Sequence, residues 1–380
     1  MNFAAMQLNN NQKAFFELVK AGLWKCEARL SQFGVIDYTE VLRLAEEQSV
    51  VGLIAVGLEH VQDVKVLQDD VFRFVGRALQ IEQQNITMNT FVAQLIEKLR
   101  KEDIYAILVI GQGIAQCYER PLWRTSGDVD LLLSAGNYEK AKAYLTPQAD
   151  SVDAEYTSES HLSMKIKDFE VELHGTLHSR LSKRVDRGID AVQRDVFYGG
   201  NVRTWMNGNT SVFLPGSDND VIFVFTHFLK HFYIGGFGLR QICDWCRLLW
   251  TYRDSLNYEL LEKRIRKMGL MSEWKSFAAL AVDYLGMPKE AMPLYDERGQ
   301  KDDVRWKKKG ERILEFVLKT GNFGHIRERE VSNSYIGGKL ASTYRKLKDF
   351  GHHMRIFPID SVKFFCYFAI DGIGGAMRGE

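Results

Sequence analysis

Asp128 and Asp130 stand two residues apart in the run GDVDLLL, residues 127–133. On a strand, residues two apart share a face at about 6.6 Å of rise. The two carboxylates therefore point one way, while Val129, Leu131 and Leu133 form an opposite face apolar enough to be buried. Side-by-side carboxylates repel unless a cation lies between them, and Mg²⁺, a hard ion that prefers oxygen ligands, meets that need. A third acid comes from FEVELH, residues 169–174: Phe169, Val171 and Leu173 make one face, and Glu170, Glu172 and His174 the other. Glu172 is the chosen third carboxylate because it sits on a strand and faces away from the apolar side; Glu170 is the fallback. His174 shares that face and can orient a phosphate or an acceptor. Upstream, Gly111-Gln112-Gly113 follows an apolar run from Ile104 to Ile110. Such a turn lets backbone approach phosphates closely, with a helix N-terminus behind it. Arg124 is close enough in sequence to the aspartates to offer a planar, permanently charged donor to a phosphate oxygen. Together these residues point to phosphate chemistry around a divalent cation.

The elements that must position them follow from periodicity. Residues 11–100 read as helical: Asn10 or Asn11 caps a helix through Val19, Tyr38–Glu47 and Val50–Leu58 form two more, and the longest begins near Asp69, whose carboxylate suits a helix N-terminus. In its second half Met88, Phe91, Leu95 and Leu99 make one apolar stripe, which fits a helical lobe packed on the catalytic core, the alternative being a bundle with no contact to the site. After the aspartate strand, a helix is predicted over Asn137–Leu145 with Asn137 as its cap. Lys167-Asp168 separates two alternating runs as a hairpin, beyond which the sequence turns polar and irregular. Val202–Trp205 and Ser211–Leu214, split by Asn-Gly-Asn, form a second hairpin. Helices are then predicted over Asp218–Phe232, over 239–250 (LRQICDWCRLLW), and over Tyr258–Met268 and Ser272–Leu285. His227, His231, Cys243 and Cys246 have spacings compatible with zinc, set against simple packing in apolar helices.

At 380 residues the chain is long enough for two or three packed units. A formal charge of +1 gives no global field toward nucleic acid or anionic lipid, so any polyanion site must be local. Five scattered cysteines (Cys26, Cys117, Cys243, Cys246, Cys366) suit a reducing compartment better than a disulfide framework. With no secretion signal at the start and no window of about 18 uninterrupted apolar residues, the expected address is cytoplasmic, without a transmembrane segment. Residues 301–355 hold a basic excess, including Lys307–Lys309, Lys339, Arg345, Lys346, Lys348, His352, His353 and Arg355, interleaved with Trp306, Phe323, Tyr335 and Tyr344. That mixture can bind a nucleic-acid strand, but a solvated helix face has the same composition.

Strand, glycine turn, helix and a strand bearing Asp-x-Asp resembles the polymerase-β-like nucleotidyltransferase superfamily. More closely, the chain is similar to a bacterial family of uncharacterised nucleotidyltransferases that read roughly as a Lys-Gly turn, a tyrosine, then Arg-x-x-Gly-Asp-x-Asp-Leu-Leu. Gly113, Tyr118, Arg124, Gly127, Asp128, Asp130, Leu131 and Leu132 stand at those positions, and Gln112 replaces the lysine. Glu172 and His174 fall where that family carries Glu-x-His. The histidine-bearing helix followed by Leu239-Arg240 and Asp244 fits its Leu-Arg-x-x-x-Asp. The resemblance covers roughly residues 90–250. It implies an α+β fold with a mixed-sheet nucleotidyltransferase core (101–216) between N-terminal (1–100) and C-terminal (217–380) helical lobes. It implies a transferase that moves NMP from an NTP to an acceptor hydroxyl with Mg²⁺ or Mn²⁺. Asp128, Asp130 and Glu172 would be the catalytic metal ligands, and Gly111, Gln112, Gly113, Arg124, Gly127 and His174 would surround the nucleotide. The acceptor, whether small molecule, protein or RNA, is not specified. The alternative is a catalytically degenerate protein of the same fold that binds a nucleotide or a protein partner, a reading that Gln112 favours.

Overall fold

A computed structural model of the chain describes residues 7–156, 160–234, 236–295, 300–321 and 348–378. It divides into two compact units. One comprises Met1–Leu79, Phe228–Trp250 and Gly269–Cys366; the other comprises Gln80–His227, Thr251–Met268 and Tyr367–Glu380.

The second unit carries a seven-stranded mixed sheet. Its strands are β1 (Ala106–Val109), β2 (Val129–Leu133), β3 (Ser151–Val152), β4 (His161–Ile166), β5 (Phe169–His174), β6 (Val202–Asn207) and β7 (Thr210–Pro215), in the order β3-β4-β5-β2-β1-β7-β6. β2 runs antiparallel to β1 and parallel to β5, while β1 runs parallel to β7. The two predicted hairpins are β4–β5 and β6–β7. One face of the sheet is apolar. Val129, Leu131, Leu133, Leu162, Met164, Ile166, Val171 and Leu173 bury there against the predicted stripe Met88, Phe91, Leu95 and Leu99. The stripe lies on the helix Gln68–Lys101, which begins one residue before Asp69 and has both Asp69 and Asp70 in its first turn. Tyr138, Ala141 and Leu145 of the helix Ala135–Leu145 join the same core. Ser134, not Asn137, stands at that helix's N-cap position, and the Asn137 side chain donates instead to the Tyr105 carbonyl.

A helix over Lys183–Tyr198 occupies the stretch read as irregular. Ser182 caps it by accepting from the Val185 N–H, and Val185, Ile189, Val192 and Val196 bury one side. Seven charged residues among its sixteen had hidden that stripe.

The first unit is helical. Helices Asn10–Trp24 and Val51–Leu58 cross at backbone contact: a Cβ on Gly22 would lie 2.1 Å from the Leu53 carbonyl oxygen, and one on Gly57 2.1 Å from that of Leu18. The first helix is capped by Asn9 rather than by Asn10 or Asn11, in a reciprocal box with Gln12. Helices Leu239–Tyr252 and Met271–Leu285 contribute Trp245 and Trp274, which meet edge to face at 4.8 Å. Among the described residues no helix is long and apolar enough to cross a membrane, and all five cysteines are free thiols.

Candidate active site

The polar face of the sheet is built by cross-strand register. Asp130 pairs directly with Glu172, and Leu132 with His174, in the parallel β2–β5 pair. Residues opposite each other on neighbouring strands point to the same side. Asp128 precedes β2 by one residue, and its carboxylate reaches the same point: one oxygen each from Asp128, Asp130 and Glu172 lies within 4.8 Å of the others. The three acids chosen from the sequence are thus brought together.

Asp130 is only 5% exposed. Burial, and next the charge of Asp128, push its carboxyl up to about 7, while a hydrogen bond from His174 Nε2 to its Oδ1 (2.9 Å) works the other way. Glu172 shows the reverse balance. Burial opposes its charge, but His161 Nε2 at 3.1 Å and His174 Nε2 at 3.4 Å from its Oε2 outweigh that and hold the carboxyl well below the usual range. His174 is buried, which disfavours its charge, yet its contacts to Asp130 and Glu172 raise it to about 9. In the absence of a metal, an imidazolium between two carboxylates partly offsets their repulsion.

The neighbouring loop is held from below. Ile110 has φ 57° and ψ −141°, a strained setting for a β-branched residue, and Gly111 follows at φ 37°. The expected glycine turn is the start of a short buried helix, Gly111–Ala115, and a Cβ on Gly113 would come within 2.9 Å of Leu214 Cδ2, so this glycine lets that helix pack onto β7. Gln112 is 3% exposed, and its Nε2 donates to Asn85 Oδ1 at 2.9 Å. Asn85 in turn donates to the carbonyls of Leu122 and Arg124, both at 2.7 Å. One asparagine on the long helix therefore ties the glycine turn to the segment that leads into Asp128. Arg124 is 6% exposed and donates to the Thr125 carbonyl and to Ser126 Oγ. Gly127 is exposed, with open space around it.

His161, beside Glu172, was not singled out in the sequence. Its signal was there: the two-residue turn Lys167-Asp168 pairs Ile166 with Phe169, and counting outward places His161 opposite His174. Elsewhere, His178 hydrogen-bonds Asp190 at 2.7 Å. Among the described residues, the groups of three or more clustered metal-ligand side chains contain neither His227 nor His231, and neither Cys243 nor Cys246. Burial raises both of those thiols, well above their ordinary value for Cys243 and beyond the normal range for Cys246. Of the basic stretch, Lys307 lies 3.9 Å from Asp283, Lys309 donates to Ser272 Oγ and His353 is buried. Lys339, Arg345, Lys346, Phe323, Tyr335 and Tyr344 lie outside the described residues.

A mixed sheet that gathers three carboxylates beside a glycine turn is the architecture of a nucleotidyltransferase. The family model described as uncharacterised nucleotidyltransferase matches residues 35–286, about two thirds of the chain, and the chain belongs to that family. No curated protein and no solved structure matches it.

Proposed function

We propose that the protein transfers a nucleoside monophosphate from an NTP to an acceptor hydroxyl in a magnesium-dependent reaction. The observation that carries this reading is the convergence of Asp128, Asp130 and Glu172 at a point where one carboxylate is almost fully buried. Three acids in that space are costly to charge without a cation, and an all-oxygen donor set suits Mg²⁺ or Mn²⁺. Held by these three side chains, the cation would supply positive charge to the triphosphate.

The chain's own residues do the rest. The acceptor oxygen forms a bond to the α-phosphorus, the bridging α–β oxygen bond breaks, and pyrophosphate leaves. The acceptor's proton passes to a bound water, while His161 and His174 keep the Glu172 carboxylate ionised as a ligand for the cation. The Gly111–Gly113 turn, braced through Gln112 and Asn85, positions the triphosphate, with Arg124 and Gly127 on the segment leading into Asp128.

Given an acceptor, the wild type should release pyrophosphate and move label from an α-labelled NTP onto it, and Asp130→Asn should lose at least about 10²-fold in rate. Equal rates for the two proteins would refute the assignment. A second reading, a nucleotide binder without turnover, is favoured by one observation: Gln112, at the family's lysine position, spends its side-chain amide on Asn85. NTP binding with no pyrophosphate release across acceptor classes would select it.

A further inference from the structure

Besides the three acids, a second set of potential metal ligands converges on this sheet: His161, Glu172 and His174, with one ligand atom each within 4.8 Å of the others. Its donor chemistry differs from that of the aspartate pair. Two imidazole nitrogens and one carboxylate are the ligands of a first-row transition ion, whereas Mg²⁺ avoids nitrogen.

The two spacings to Glu172 fit such an ion. With bonds of about 2.0–2.1 Å, two ligands of a tetrahedral centre are separated by about 3.3 Å. The distances to Glu172 Oε2 are 3.1 Å from His161 Nε2 and 3.4 Å from His174 Nε2. The frame is pre-built, because β4 and β5 are hydrogen-bonded neighbours in which His161 opposes His174. The two rings stack at 4.8 Å, Tyr156 stacks on His161 at 5.9 Å, and mutual backbone hydrogen bonds join Tyr156 to His161. Side-chain exposures of 22%, 26% and 13% for His161, Glu172 and His174 leave an entry path for an ion.

We propose that His161, His174 and Glu172 form a binding site for a transition-metal ion of the Zn²⁺ class, bridged through Glu172 to the site made with Asp128 and Asp130. The inference shares Glu172 with the nucleotidyl-transfer reading but stands without it, since nothing in the nitrogen-bearing set requires a nucleotide.

The test titrates full-length protein, stripped of metal, with Co²⁺ and then competes with Zn²⁺. A site of this kind develops the intense visible absorption of cobalt in a low-symmetry nitrogen–oxygen field, and one equivalent of Zn²⁺ abolishes it. His161→Asn should weaken cobalt binding at least about tenfold, while Asp128→Asn, outside the set, should leave it within about twofold. Mg²⁺-dependent NTP binding should be lost in Asp128→Asn while that variant keeps its cobalt binding, so failure of one reading is distinguishable from failure of the other. Wild-type protein loaded with one equivalent of Cu²⁺ gives a readout that needs no variant: its electron paramagnetic resonance should carry coupling to two imidazole nitrogens. No cobalt binding in excess of magnesium's, cobalt binding indifferent to His161→Asn, or a copper spectrum without coupled nitrogens would each overturn the proposal.

Discussion

Asp220 and Asp130 are both carboxylates buried in the sheet-bearing unit, 1% and 5% exposed, and their surroundings answer that burial differently. Asp220 is paired with Arg203, whose guanidinium also donates to the Pro215 carbonyl and the Tyr252 hydroxyl and lies over the Tyr252 ring at 4.8 Å. Asp130 receives two further acids and an imidazole instead. A permanent charge fixed by three anchors is a structural solution. A carboxylate crowded by carboxylates is expensive on its own and becomes favourable when a cation arrives from outside. Placement of charge, rather than burial, separates the scaffold from the site.

The largest expected effect lies on the scaffold side. Arg203→Met leaves Asp220 buried and unpaired and should cost about 3–5 kcal/mol in urea denaturation. A loss below about 1 kcal/mol would erase the contrast.

Glu273, in the helical unit, shows a third solution. It is fully buried beside the Tyr233 hydroxyl at 3.2 Å, and burial, helped by the charge of Asp360, pushes its carboxyl up to about 8. The folded protein therefore retains a proton that the unfolded chain releases near pH 4.3. The stability this contributes is complete below that value and is lost as pH climbs toward about 8. Glu273→Gln should match the wild type near pH 4 and exceed it by a margin that grows steadily up to about pH 8; parallel pH profiles would contradict the assignment.

At the site, Mg²⁺ at a hundred times its Kd should stabilise the wild type by about 2.7 kcal/mol and leave Asp130→Asn unmoved. In metal-free buffer that variant should be at least as stable as the wild type, unlike any change at Arg203. The smallest effect belongs to the brace. Gln112→Ala removes the partner of Asn85 Oδ1 and should cost about 1–2 kcal/mol, with weaker NTP binding as the glycine turn loosens. Unchanged stability would remove Gln112 from its bracing role.

What was legible in the sequence was local and periodic. Alternation placed Val129, Leu131 and Leu133 opposite the acids, and a helical stripe placed Met88, Phe91, Leu95 and Leu99 on the sheet. Both hairpins announced themselves through their turns. The helix over Lys183–Tyr198 escaped because charged residues surround its four buried valine and isoleucine positions. His161 escaped although the turn register alone pairs it with His174. The Gln112–Asn85 bond was beyond reach for a different reason. It joins residues 27 apart through tertiary packing, which no local spacing encodes.

The central claim is that Asp128, Asp130 and Glu172 form a cation-dependent nucleotide site. Calorimetric titration of each of the four NTPs, with Mg²⁺ and with chelator, into wild type and Asp130→Asn tests it most directly. At least one NTP should bind the wild type with Mg²⁺ at least about tenfold more tightly than without it, a coupling of about 1.4 kcal/mol or more, and that gain should vanish in Asp130→Asn. NTP affinity indifferent to both Mg²⁺ and the substitution would contradict the account.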